Sequence, residues 1–393
     1  MQSEVTSTNT VIIGAGPAGL SVGACLRKAG VPFIILEQAD RPGSSWHGHY
    51  ERLHLHTNKG MSQLPLYPFP QDYPRYPSRQ QMADHLKAYA EHFGLEPRFG
   101  QLVTCVRREG VAWMTQTEDA QYRSDHVVVA TGLLRVPHVP SWPGQEEFEG
   151  DLVHTSEYAN GARYKGKDVL VVGFGNSSTE IAIDLWEHGA RPSVAVRSPV
   201  NVIPRDLLGI PIVAVAAPFN WLPAGLVDAF MAPVLRLLYG DFSRLGLRKL
   251  PYGALSQLQR QRFPVLDFGV MKLIKEGRLP VYGGIEQFDG NEVVFEDRSR
   301  KRFDAVILAT GYRSRVDEIQ EDGVVPMDEA GSPRASGCET LPGLFFCGFH
   351  VIRGALLKEI ASEAKRIARA IRAKSAGPDS RRRAAAEGHH RDC

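Results

Sequence analysis

Residues 148–180 read FEGDLVHTSEYANGARYKGKDVLVVGFGNSSTE, and this stretch decides the fold. An apolar run, Val169 to Val172, ends on Gly173-x-Gly175-x-x-Ser178, behind the spaced set Phe148-x-Gly150-x-x-x-His154-x-x-x-Tyr158. A glycine turn after a short buried strand outlines a dinucleotide phosphate site. Glycines let the backbone approach a pyrophosphate, and the helix that follows turns its free N–H groups toward the charge. A cleaner version stands at Gly14-x-Gly16-x-x-Gly19. Two such turns imply two nucleotides.

Around the first turn, Thr10 to Ile13 reads as a buried strand, Leu20 to Ala29 as a helix ended by Gly30, and Pro32 to Leu36 as a second strand closing on Glu37. An acid about twenty residues past the turn bonds a ribose hydroxyl and selects an unphosphorylated ribose. The second unit repeats this plan with Val169 to Val172, a helix from Ser177 to His188, and a strand from Ser193 to Val196. That strand ends on Arg197-Ser198, not on an acid. A guanidinium and a hydroxyl there bind a phosphorylated ribose, which points to NADPH in preference to NADH.

Outside these units the chain carries twin segments, Val127-Val128-Val129-Ala130-Thr131-Gly132 and Val306-Ile307-Leu308-Ala309-Thr310-Gly311-Tyr312. Each is a buried strand stopping at a glycine, and together they bracket the second phosphate turn. The reading is an α/β protein of two Rossmann-like domains, with the NADPH domain inserted into a discontinuous FAD domain. Residues 1–150 and 306–372 are expected to form the FAD domain, and 151–305 the NADPH domain with an apolar insert near 201–265. A disordered tail is expected over 373–393, where Arg381 to Arg383 stand.

Between these landmarks, a proline-rich aromatic loop (Pro65 to Pro77) reads as an active-site wall or a packed connector. Ser78 and Gln81 then form a capping box for a helix whose apolar stripe is Met82, Leu86, Tyr89 and Phe93. From Gln101 an antiparallel strand set leads to Val127. Leu341 to Phe349 reads as a buried strand ending at a turn, followed by a helix from about Gly354 to Arg372.

A chain of 393 residues, 43% hydrophobic and with a net charge of +2, buries a large core and carries no overall charge that calls for nucleic acid. Its five cysteines are scattered without Cys-x-x-Cys, which argues against a disulfide framework, a zinc site or a dithiol centre. The polar start leaves no room for a signal peptide, and the expected compartment is the cytosol. Leu207 to Val227 is uncharged but broken by Pro211, Pro218 and Pro223. It reads as a buried or lid-like insert in preference to a membrane-surface contact, and not as a span.

FAD at the first turn and NADPH at the second describe a flavoprotein that takes hydride from NADPH. Its electrons then go to a disulfide, a soluble acceptor or oxygen, and the missing Cys-x-x-Cys removes the first in its common form. The set Phe148, Gly150, His154, Tyr158 between two phosphate turns, followed by Ala309 to Tyr312, resembles the class B flavin-dependent monooxygenases. The runs Gly166 to Ser177, Val196-Arg197-Ser198, Pro264 to Asp267 and Ala309 to Arg313 most resemble the YUCCA-type branch. Tyr158-Ala159 stands where Baeyer–Villiger members usually carry Trp followed by Pro or Asp.

The resemblance implies that NADPH reduces FAD, that oxygen adds to the flavin as a C4a-peroxide species, and that NADP+ stays bound. The leading expected reaction is oxidative decarboxylation of an aromatic 2-oxo acid such as indole-3-pyruvate. Thr57-Asn58 resembles the pair beside the flavin in N/S-oxygenating members, so oxygenation of a small amine or thioether is the alternative. Peroxide release as an oxidase or flavin reductase is another, and a nucleotide-binding sensor read through the arginine tail a third. Asn58 is expected to donate a hydrogen bond near the flavin, and His154 to orient the linker between domains. The expected cofactor contacts are Gly14, Gly16, Pro17, Ala18, Gly19, Glu37, Gln38, Ser45, Trp46 and Thr131 early in the chain. Further along they are Gly173, Gly175, Asn176, Ser177, Ser178, Arg197 and Ser198, and on the return Thr310, Gly311, Tyr312 and Gly348.

Overall fold

The structure is a computed structural model that describes residues 5–375, apart from 217–218, 220, 261, 321–324, 329–330 and 351–354. The expected tail beyond residue 375, Gly354 and Cys393 therefore lie outside the described residues.

The chain opens with β1 (Val5–Ile13), α1 (Pro17–Ala29) and β2 (Phe33–Leu36). Gly30 ends α1 in the left-handed conformation, at φ 70°. The proline-rich loop leads to α2 (Arg79–His92), whose Ser78 and Gln81 make the reciprocal capping box. An antiparallel run follows, β3 (Val103–Glu109), β4 (Ala112–Thr117) and β5 (Gln121–Val129). The chain then crosses to β6 (Asp151–His154), β7 (Asp168–Val172), α3 (Asn176–Glu187) and β8 (Arg191–Ala195). Helix α4 (Ala224–Tyr239), β9 (Val281–Tyr282) and β10 (Ala305–Leu308) complete that half. The return brings β11 (Glu339–Leu341), β12 (Leu344–Phe346) and α5 (Leu356–Ser375). Leu341 to Phe349 is thus a hairpin, not one strand, because Gly343 at φ 85° turns the chain between β11 and β12.

Two sheets result. In the first the order is β2-β1-β5-β12-β11, with β4 and β3 attached to β5, and β1, β2, β5 and β12 are mutually parallel. Successive residues of each strand feed opposite faces, as the two-residue strand period demands. Ile12, Val128 and Phe345 join the core under α1, α2 and α5, while Val11, Val127 and Phe346 join the core on the other side. The second sheet, β9-β8-β7-β10-β6, is parallel throughout. Its central strands are buried on both faces: Val169, Val171 and Ile307 pack toward α3, Leu170, Val172 and Val306 toward Phe288 and Phe295. Such strands read as continuous apolar runs, which is why both were visible in the sequence.

The domain boundaries shift. Val306 to Leu308, expected in the FAD domain, stand in the middle of the second sheet, where β10 pairs with both β7 and β6. The return crossing therefore starts after Leu308. Trp142 and Phe148, also expected in the FAD domain, pack against the second core beside Phe288. The two crossings meet as a ribbon, Val136–Pro137 antiparallel to Tyr312–Arg313.

Of the two expected readings of Leu207 to Val227, a buried or a lid-like insert, full burial does not hold among the described residues, although Ile212, Ala224 and Val227 are buried. Leu208 is 96% exposed and Trp221 80%, and on α4 Phe230 and Leu237 are 73% and 87% exposed. Pro223 caps the start of α4 and Pro233 lies inside it, so these prolines do not abolish the helix. Among the described residues no helix is long and apolar enough to cross a membrane.

Candidate active site between two phosphate turns

At the first turn Gly14 has φ 104° and donates its N–H to the Leu36 carbonyl at 2.7 Å. A Cβ there would lie 2.7 Å from the Ala130 carbonyl oxygen, and one on Gly19 would lie 1.9 Å from the Gly14 oxygen, whereas Gly16 faces open space. Pro17 begins α1, and Ala18 is buried against Gly348, whose own Cβ would approach Ala18 to 3.1 Å. Glu37 accepts from the Ala15 N–H at 2.6 Å and the Ala39 N–H at 2.9 Å, so its carboxylate reaches the turn. The buried Thr131 hydroxyl has no partner among the described residues. An open backbone face, a helix start, an adjacent acid and an orphaned hydroxyl fit a bound FAD. Gln38 and Ser45 are exposed, and Trp46 is half-buried against the first core.

The second turn repeats this geometry. Gly173 has φ 114° and its Cβ would lie 2.6 Å from the Ala309 carbonyl oxygen, while Gly175 faces open space. The twin segments thus act alike, since each presses an alanine carbonyl, Ala130 or Ala309, onto the first glycine of a turn. Ser178, at the place of the third glycine, donates its hydroxyl to the Gly175 carbonyl at 3.0 Å. Arg197 and Ser198 are exposed just past β8, whose Ala195 is level with Val172 of β7. The open turn and this cationic strand end fit NADPH. Asn176 spends its side chain on protein: Oδ1 accepts from the Leu266 N–H at 2.8 Å, and Nδ2 lies 3.4 Å from His56 Nδ1. Ser177 is half-buried.

The histidine motif builds the crossing. Phe148 meets Phe288 edge to face, and Gly150 has no room for a Cβ, which would lie 2.5 Å from the Asp304 oxygen. Tyr158 donates to Asp184 at 2.6 Å. His154 is buried, with Nδ1 accepting from the Ser156 N–H at 3.1 Å and Nε2 3.1 Å from the Gly311 carbonyl. Nε2 therefore carries the proton. Burial holds its pKa below the ordinary histidine value, partly offset by the bond to Gly311. The Gly311 oxygen also accepts from the His138 N–H at 2.9 Å, Thr310 donates its hydroxyl to the His138 carbonyl, and Tyr312 packs its ring edge to face on His154.

The halves are also joined by residues that no motif marked. Glu180 of α3 is buried; one oxygen accepts from the Tyr50 hydroxyl at 2.9 Å and the other lies 3.0 Å from His56 Nε2. Burial, then the neighbouring carboxylate, pushes the Tyr50 pKa well up, so the phenol stays protonated and donates. Beside this bridge opens a cavity of about 450 Å³ between the halves. Arg52, His54, Arg75 and Tyr76 line it from the first half, Glu180, Arg205 and Phe268 from the second. In the proline-rich loop Tyr67 and Phe69 pack on α2, as a packed connector would, while Tyr76 faces the cavity.

Sequence reasoning missed Glu180, His56, Tyr50 and Arg205 because each acts across the domain boundary. Only the charged pair Arg205-Asp206 before an uncharged stretch hinted at one of them. Asn58 is half-buried and caps a short turn, its Oδ1 accepting from the Met61 N–H at 3.1 Å. That bond fixes the amide and leaves its NH2 group to donate elsewhere.

A family profile described as pyridine nucleotide-disulphide oxidoreductase matches residues 11–205. Indole-3-pyruvate monooxygenase YUCCA1 of Oryza sativa subsp. japonica is 42% identical over 318 residues, 79% of this chain and 78% of that protein. The probable indole-3-pyruvate monooxygenase YUCCA1 of Arabidopsis thaliana is 39% identical over 367 residues, 91% and 88% of the two chains. The flavin-containing monooxygenase of Stenotrophomonas maltophilia shares the fold, with a TM-score of 0.72 at 23% identity, covering 95% of this chain and 100% of that one. The chain therefore belongs to the YUCCA-type branch of the class B flavin-dependent monooxygenases, oxidoreductases that use FAD and NADPH.

Proposed function

We propose that the chain oxidatively decarboxylates an aromatic 2-oxo acid, with indole-3-pyruvate as the leading substrate. The observation that carries this reading is the likeness to indole-3-pyruvate monooxygenases over most of the chain. A cavity with tyrosine and phenylalanine walls between the two nucleotide halves supports it. In the balanced reaction, 2-oxo acid, O2, NADPH and a proton give the acid one carbon shorter, CO2, NADP+ and water.

Bound FAD and NADPH supply the electrons and the oxygen-activating ring. In this reading the chain's own residues position and shield. Glu37 holds the ribose at the first turn, and Arg197 with Ser198 holds the 2′-phosphate at the second. The Asn58 amide donates toward the flavin edge, and His154 fixes the crossing through Gly311 without moving a substrate proton. Tyr76 and Phe268 form the apolar part of the cavity wall and help to exclude water, which otherwise diverts the chemistry to hydrogen peroxide.

Thr57-Asn58 favours a second reading, N- or S-oxygenation, because an amide donor at this place resembles the N/S-oxygenating branch. Incubating flavin-loaded protein with indole-3-pyruvate, NADPH and oxygen while measuring CO2 separates the readings. Release of one CO2 per NADPH supports decarboxylation. No CO2, with oxygen transferred to amines or thioethers, establishes the second reading. Stoichiometric hydrogen peroxide with every substrate overturns both.

A further inference from the structure

The cavity between the halves holds a cation fixed in an unusual manner. The Arg205 guanidinium lies 4.2 Å from the Tyr76 ring centroid and 5.4 Å from that of Phe268. Its Nε donates to Asp206 at 3.2 Å. Asp206 in turn accepts from the Tyr76 hydroxyl at 2.6 Å, so ring, carboxylate and guanidinium lock one another. Burial first, and then Asp206, pushes the Tyr76 pKa up to about 12, so the phenol stays a donor. The two terminal nitrogens of Arg205 make no hydrogen bond among the described residues, and the residue lines the cavity. A planar cation held by two aromatic faces loses little freedom on accepting a planar anion, because its geometry is already set.

Among the cations around the cavity, Arg205 is set apart by its two ring contacts, whereas Arg52 and Arg75 each have one terminal nitrogen engaged elsewhere. Arg52 is paired with Glu187, and Arg75 donates to the Gly209 carbonyl at 2.7 Å and lies 3.7 Å from Asp206. The Glu180 carboxylate is occupied on both oxygens by Tyr50 and His56. The geometry points to Arg205 as the residue that binds the carboxylate of an arylalkyl acid substrate, which makes the cavity selective for acids over neutral isosteres. This rests on the substrate class proposed above, and adds the residue that reads its charge.

The test is equilibrium binding to the flavin-loaded, NADP+-saturated full chain, comparing indole-3-acetate with indole-3-acetamide, which differ in charge but hardly in shape. The wild type is expected to bind the acetate roughly 10- to 100-fold more tightly. R205Q should abolish most of that preference while amide affinity stays within about twofold, and R205K should restore part of it, since lysine keeps the charge without the planar fork. Flavin content establishes that each variant is folded. Equal weakening of both ligands, unchanged preference in R205Q, or a loss confined to NADP+ affinity would overturn the assignment, the last by giving Arg205 to a nucleotide phosphate. Absence of CO2 from indole-3-pyruvate with the acid preference intact sinks the proposed reaction and leaves the carboxylate site standing.

Discussion

We propose that Arg197, an exposed side chain just past β8, carries the choice between the two nicotinamide cofactors. Removing the guanidinium removes a charge-assisted contact to the 2′-phosphate, so R197Q should raise the NADPH KM by roughly 10- to 100-fold and leave the NADH KM nearly unchanged. Steady-state NAD(P)H oxidation measures both. Gly19 is the opposite kind of residue, significant for what it lacks. A Cβ 1.9 Å from the Gly14 oxygen forces the first turn open, so G19A should weaken FAD binding and cost roughly 1–3 kcal/mol of stability. The flavin absorbance of purified protein, relative to its protein content, reads the first effect directly. Both residues were legible in the sequence, because a glycine at a fixed spacing and a charge at a strand end are local facts. For His154 the resemblance implied a linker role; that the contact is to Gly311 on the crossing depends on β6 lying beside β10.

The proline-rich loop shows how an element is held by contacts that carry a pH dependence. His85 of α2 is 1% exposed, has no hydrogen-bond partner among the described residues, and faces Phe69 at 4.2 Å and Tyr67 at 5.4 Å. Burial pushes its pKa down to about 4. A folded value below the unfolded one, near 6.5, means that the unfolded chain binds the extra proton first as pH falls. The stability that neutral His85 contributes is therefore complete above about pH 6.5 and is lost toward pH 4, up to about 3 kcal/mol. H85F should be much less sensitive to acid than the wild type, as urea midpoints at pH 7 and pH 4.5 will measure. Part of the sensitivity should remain, because burial also lowers His49, His126 and His154. At this scale the sequence carried α2 well, through Ser78, Gln81 and the stripe. It did not carry the exposure of α4, since an apolar run of that composition reads the same whether or not another surface covers it.

For the whole molecule, the decisive contacts are those joining the nucleotide halves. Glu180 accepts from Tyr50 and pairs with His56, and His56 also lies against Asn176 at the second turn. Replacing Glu180 with Leu takes the carboxylate acceptor from the buried Tyr50 hydroxyl, which costs of the order of 1–3 kcal/mol, and removes the partner of the half-buried His56. It also frees the two turns to shift relative to each other. Because a misplacement of about 1 Å is enough to slow a reaction by about 100-fold, E180L should slow flavin reduction by NADPH about 10- to 100-fold while flavin stays bound. Stopped-flow bleaching of the flavin under anaerobic conditions reads this step alone. An unchanged rate would show that the bridge does not set the approach of the two cofactors.

The sequence by itself determined the two phosphate turns, the acid after the first and the arginine after the second, the twin strand-plus-glycine segments, and hence one Rossmann-like domain inserted in another. These are fixed by backbone requirements within a few residues: a glycine where a Cβ would collide, a buried strand that must be apolar on both faces. The tertiary structure alone decided that Ala130 and Ala309 each press on a turn, and that β10 belongs to the second sheet. It also decided that Glu180, His56 and Tyr50 form the bridge, and that Arg205 stands between Tyr76 and Phe268. Each of these pairs residues far apart in the chain, and such a pairing has no spacing to read until the two halves are packed together.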